Sequence, residues 1–241
     1  MNGEKVRIGE AAKMLGVTVQ TLRNWEKSGK LQAERSAGRQ RFYTLQELSN
    51  FILDLEMLGF AWATSAQPPE LPSIYYCERS DRFTSRVEKM GAELQKNGNI
   101  SEDLASLLTL VAGEIGDNSF AHNFGNWPDE PGIFYAYDIN KRLIVLADRG
   151  RGVKMTLRQV RPNLTTDVEA LNVAFTEIVS GRDPEKRGNG LKVVRSVVES
   201  NKISLLFRSG LGIVTIPLQS GKMRVKMTDS NVRGTFTVIQ F

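Results

Sequence analysis

The chain has 241 residues, 41% of them hydrophobic and 24% charged, with a net charge of +5 and a single cysteine. Such a chain can bury a sizeable core in one or two domains. One cysteine, Cys77, excludes a disulfide framework and any Cys-rich zinc site, and it fits a reducing compartment. The N-terminus "MNGEKVRIGEAAKML" has no apolar run of the signal-peptide kind, and no stretch approaches the ~18–20 apolar residues that span a bilayer. A cytoplasmic protein without a membrane partner is the expectation.

The positive charge is not spread evenly. Between Leu22 and Tyr43 lie Arg23, Lys27, Lys30, Arg35, Arg39 and Arg41 against two acids, Glu26 and Glu34. This clustering suits a nucleic-acid face or a solvated basic surface. The local pattern around it is helical. "IGEAAKMLG" places Ile8, Ala11, Ala12 and Leu15 at helical spacing and closes on Gly16. A second helix opens with Thr18 as N-cap, turns Leu22 and Trp25 inward and ends at Gly29. "AERSAGRQRFY" suits a hairpin, and "TLQELSNFILDLEML" reads as a third helix.

Residues 6–51 resemble a MerR-type or excisionase-type winged helix-turn-helix, through "IGEAAKMLGVTVQTLRNWEKSGKL" and the wing words "GRQRFYTLQEL". The resemblance implies double-stranded DNA as partner, with the second helix in the major groove. It puts Thr18, Gln20, Thr21, Asn24 and Lys27 near bases or phosphates, and Arg23, Arg35, Arg39 and Arg41 on the backbone. A homodimer on two half-sites is the accompanying expectation. The usual long dimerisation helix is absent from the pattern, so metal or drug sensing is not implied.

Residues 60–73, "FAWATSAQPPELPS", hold three prolines and no periodicity and read as a linker. The expected division is a head over 1–59, the linker 60–73 and a second unit over 74–241.

In that second unit "SDRFTSRVEKMGAELQK" is an amphipathic helix, and Ser101 with its acidic followers starts another. "GIFYAYDI" and "RLIVLADRG" alternate as strands joined at Asn140-Lys141. "RGNGLKVVRSVVESN" opens a further helix, and "KISLLFRSG", "LGIVTIP" and "GTFTVIQF" are strands. The expected fold class is α+β: the winged helix-turn-helix, then a two-layer α/β sandwich.

Three short elements there carry chemistry. Glu114 and Asn118, with His122 one turn further, fall on one line of a helix. A carboxylate can deprotonate a water, and an amide oxygen can ligate a hard cation. "DRGRG" follows an apolar strand, so Asp148 can accept from an exocyclic amine beside Gly150 and Gly152. "RGNGL", residues 187–191, runs into a helix whose backbone N–H groups favour phosphate.

Taken in order, ExxxN, DxGxG, GxGL and a "GT" opening the last strand resemble the GHKL ATP-binding fold over roughly 75–241. The resemblance implies ATP and Mg²⁺ as cofactors, Glu114 as water-activating base and Asn118 as the Mg²⁺ ligand. It gives Asp148 and Thr235 to the adenine and frames the nucleotide with Gly150, Gly152, Gly188, Asn189, Gly190 and Leu191. Residues 153–187 become a lid, with Arg182, Lys186 and Arg187 toward the phosphates. His122 is open between a pocket role and packing. The combined expectation is a DNA-binding transcription regulator switched by ATP/ADP. The alternatives are an anti-sigma-type protein serine/threonine kinase tethered to DNA, acting on a protein partner, and a nucleotide-binding scaffold without turnover.

Overall fold

A computed structural model describes residues 4–15, 17–27, 31–36, 38–45, 47–48, 55–96, 100–178 and 190–241. The head begins with β1 (Lys5–Arg7), α1 (Ile8–Leu15) and α2 (Val19–Lys27), followed by β2 (Glu34–Arg35) and β3 (Arg41–Thr44). The three strands form an antiparallel sheet in the order β1-β3-β2, with Val6 opposite Tyr43 and Glu34 opposite Phe42. Its core is small: Ala11, Ala12, Leu15, Leu22, Trp25, Leu31, Tyr43 and Leu48 close over one another. The expected wing is therefore present as the β2–β3 hairpin. Gly16 and Gly29 lie outside the described residues.

The segment read as a linker differs from that expectation at its start. Residues 60–64 complete α3 (Leu55–Thr64) rather than a loose tether. Leu55, Trp62 and Ala63 are buried against the sheet of the second unit, beside Phe134, Val145, Phe236 and Val238. An apolar helix with both Trp62 and Phe60 gains more by covering a sheet face than by standing in water. Prolines dominate only after Gln67, and there no helix forms.

The second unit continues with β4 (Tyr76–Cys77), α4 (Ser80–Lys96), α5 (Glu102–Asn123), β5 (Ile133–Asp138) and β6 (Leu143–Asp148). Then come α6 (Gly152–Leu157), α7 (Asp167–Thr176), α8 (Gly190–Ser200), β7 (Ser204–Ile216) and β8 (Arg224–Gln240). The sheet is antiparallel in the order β4-β5-β6-β8-β7. Alternation along the strands sorts the side chains. Ile133, Tyr135, Ile144 and Leu146 face α4, α5, α7 and α8, whereas Phe134, Ala136, Val145 and Ala147 face α3. The two-layer expectation thus becomes a sheet covered on both faces, with α3 as the additional cover.

Two further differences follow from packing. The stretches expected as separate strands at 202–217 form one strand, β7, whose register against β8 shifts around Gly210 at φ +59°. The described part of the expected lid, residues 153–178, contains α6 and α7. Helix α7 buries Leu171 and Phe175 in the main core. It starts with a capping box, in which the Thr166 hydroxyl accepts from Glu169 N and the Glu169 carboxylate accepts from Thr166 N. No described helix is long and apolar enough to cross a membrane.

Candidate functional sites

Helix α2 is held by its inward side chains, so its outward ones form a fixed row. Thr18 caps it, its hydroxyl accepting from Thr21 N at 3.0 Å. Leu22 and Trp25 lie in the head core. Gln20, Arg23, Asn24 and Lys27 are exposed, and spacings of three and four put them on one face. Gln20 Nε2 donates to Asn24 Oδ1 at 3.1 Å, which aligns two amides able to read base edges.

Thr21 departs from the expectation. It is 1% exposed, and its hydroxyl meets that of Thr18 and donates to Glu70 Oε1. One position along the helix from Gln20, it turns beneath the N-terminal turn rather than outward, so it is not available to DNA. The wing arginines divide as well. Glu26 of α2 accepts from Arg35 Nη2 at 2.8 Å and from Arg41 Nε at 2.6 Å. Hydrogen bonds from Arg41 and Arg35 hold the Glu26 carboxyl below its ordinary range. These two arginines brace the wing to α2. Arg39 sits exposed at the hairpin turn with φ +59°, and Arg23 and Arg39 make no ion pair among the described residues.

In the second unit the line Glu114, Asn118 and His122 emerges from a buried stripe beside it. Leu108, Ala112, Ile115, Ser119 and Asn123 are the buried side of α5, and the last two are polar. Glu114 and Asn118 are half-buried, and His122 is exposed. The start of α8 comes to this line. A Cβ at Gly190 would stand 2.6 Å from Glu114 Oε2 and 3.1 Å from Asn118 Nδ2, so glycine lets the helix start lie against both side-chain ends where they stand. Leu191 packs against the main core. Arg182, Lys186, Arg187, Gly188 and Asn189 lie outside the described residues.

Asp148 ends β6 and is 1% exposed. Its carboxylate accepts from Ser119 Oγ at 2.8 Å, from Gly150 N at 2.8 Å and from the Thr235 hydroxyl. Burial pushes its carboxyl above the ordinary range, against the opposing pull of Thr235, Ser119 and the backbone N–H groups. Asn123 secures the same loop: its amide oxygen accepts from Arg151 N at 2.9 Å, and its amide nitrogen donates to Ser119 O at 2.7 Å. A side chain at Gly150 would collide with Asn123, and one at Gly234 with Asp148. The motif glycines therefore fit a loop clipped tightly to α5. Ser119 and Asn123 were missed in the sequence. Their signal was two polar residues continuing an apolar stripe at steps of four.

Arg149 was likewise missed. Strand alternation points Asp148 toward α5, and its neighbour Arg149 toward α3. Arg149 is fully buried and donates to the carbonyls of Trp62, Ser65 and Ala66 at the end of α3. Its Nε meets Asp129 Oδ2 at 2.9 Å, and Asp129 also pairs with Arg233 at 3.1 Å. A cation on the last carbonyls of a helix satisfies orphan acceptors and complements the helix dipole.

A cavity of about 490 Å³ opens on the far side of this loop. Gly150 and Gly152 line it, with Asp129, Arg151, Lys154, Ser209 and Arg233, but Glu114, Asn118, Asp148 and Gly190 do not. The described cavity and the Glu114–Asn118 line are therefore different places.

Comparison with known proteins bears on the head. Residues 7–43 match the family model described as MerR family regulatory protein. That region carries the MerR-type helix-turn-helix, and the match speaks for a DNA-binding transcription regulator. No curated protein matches the chain, and neither does any solved structure.

Proposed function

We propose that the protein is a DNA-binding transcription regulator, dimeric on DNA, whose second unit binds Mg-ATP and turns it over slowly as a conformational switch. The observation that carries the DNA half is the exposed row Gln20, Arg23, Asn24 and Lys27, set on a braced helix inside the family match. Rows of this kind dock in the major groove, two half-sites to a dimer.

The nucleotide half is supported by the meeting of Gly190 with Glu114 and Asn118. A carboxylate and an amide oxygen suit a hard cation, and among the described residues no cluster of three or more His, Cys, Asp or Glu offers a complete shell. Mg²⁺ tolerates this, because it commonly takes one or two protein ligands and completes its shell with phosphates and water. When bound, ATP with Mg²⁺ would supply the phosphoryl group that water attacks. Glu114 would hold and deprotonate that water, and Asn118 would ligate the cation. At the base end the Asp148 carboxylate already accepts three hydrogen bonds. An adenine amino group would take the place of the Ser119 or Thr235 hydroxyl there.

Calorimetry with Mg-ATP and Mg-ADP, together with phosphate release, tests this half. The reading expects binding by wild type and Glu114→Gln, with release by wild type alone. Absence of binding in both would refute it. Transfer of label from ATP to another protein would replace the switch with a kinase.

A further inference from the structure

The cavity beyond the loop has an excess of positive charge that the nucleotide reading does not use. Four cations border it, Arg149, Arg151, Lys154 and Arg233, against two carboxylates, Asp129 and Asp167. Both carboxylates are engaged. Asp129 serves Arg149 and Arg233, while Asp167 pairs with Lys154 at 3.1 Å and accepts from Leu211 N at 3.0 Å. Arg151 is left over. Its backbone N–H goes to Asn123, but its half-buried guanidinium makes no hydrogen bond or ion pair among the described residues. A guanidinium in this position presents a planar fork of donors, and in a partly closed cavity its field is weakly screened.

We propose that this cavity is a binding site for a small, multiply charged organic oxyanion, a phosphomonoester or a polycarboxylate, with Arg151 as its principal contact. Lys154 and Arg233 flank it, each sharing one carboxylate and so able to turn part of its donors to the ligand. Arg149 stays with α3 and fixes the wall. The volume, about 490 Å³, lies within the ordinary range for small-molecule sites. Met155, an exposed apolar side chain on the rim, favours an organic anion over a bare ion. Asp129 is the part of this site that also touches Arg149, so an anion drawing Arg233 away from Asp129 would alter the support of α3.

The site is separate from the Glu114–Asn118 line, and its test is arranged so that either can fail alone. Glycerol 2-phosphate and citrate are titrated into the full chain by calorimetry at constant ionic strength, with chloride as control, for wild type, Arg151→Gln, Arg151→Lys and Asn118→Ala. The proposal expects saturable binding of at least one oxyanion, and the tighter of the two identifies phosphate or carboxylate chemistry. Arg151→Gln should weaken it at least tenfold, Arg151→Lys should restore part of it, and Asn118→Ala should leave it unchanged. Mg-ATP binding should be lost in Asn118→Ala and kept in Arg151→Gln. Saturation by neither probe would overturn the proposal, as would equal affinity in wild type and Arg151→Gln. So would loss of oxyanion and Mg-ATP binding together in Arg151→Gln, which would merge the two places into one site.

Discussion

Arg149 and Trp62 tie the candidate nucleotide loop to the helix that follows the head. The guanidinium donates to the Trp62 carbonyl and lies 5.8 Å from the centroid of the same residue's ring. Neighbours in the chain thus serve opposite faces of the sheet, Asp148 holding α5 and Arg149 holding α3.

Arg149→Ala should destabilise the second unit by about 3 kcal/mol, since it strips a buried cation from three carbonyls and from Asp129. Arg149→Lys should recover little of this, because an ammonium cannot span the same fork of acceptors. The urea midpoint of each variant checks the order. Equal stability of Arg149→Lys and wild type would contradict the role given to the fork.

Glu26 gives the head a pH dependence. Its carboxyl is held below the ordinary 4.5 by the hydrogen bonds of Arg41 and Arg35. A depressed acid contributes stability above its unfolded value and loses it as pH falls through the folded value. The protection factors of the α2 amides, referred to the unstructured rate at each pH, should therefore fall as pH drops below 4.5 in wild type. In Glu26→Gln protection should be lower at neutral pH and less sensitive to acid over that window.

Gly190→Ala should separate folding from turnover. The added methyl would meet the ends of the Glu114 and Asn118 side chains, which can swing aside, so the melting temperature should change little. Displacing the proposed base and metal ligand should still cut phosphate release by about a hundredfold, the scale of a mispositioned general base. Wild-type release in this variant would remove Glu114 from the role of base.

Arg23 and Arg39, like Arg7, are exposed head arginines in no ion pair among the described residues. Replacing either by alanine should weaken binding to all duplexes alike and reduce the slope of log affinity against log salt by about one. Asn24→Ala should instead relax sequence preference, the mark of a base contact. Arg35→Ala and Arg41→Ala should act chiefly on the stability of the wing.

The elements with strong periodicity were legible in the sequence. The alternation of "IFYAYD" and "LIVLAD" marked paired strands, and Leu22 with Trp25 marked the buried side of α2. Contacts between distant residues were not. Nothing local shows that Phe60 and Trp62 cover a sheet, because an apolar helix before prolines looks the same whether packed or tethering. The pairing of Glu26 with Arg35 and Arg41 hid in what read as a uniformly basic stretch, and the Asp148–Ser119–Thr235 cluster joins three separate elements. The capping box at Thr166 and Glu169 stood in plain view in "TTDVE", inside a stretch read as lid.

The most direct measurement is selection of duplexes from a random-sequence pool by the full chain, with and without Mg-ATP, alongside Asn24→Ala. The account predicts enrichment of a site with two related halves, relaxed in Asn24→Ala, and a yield that changes with nucleotide. No enrichment of any sequence by wild type over Asn24→Ala in either condition would contradict it.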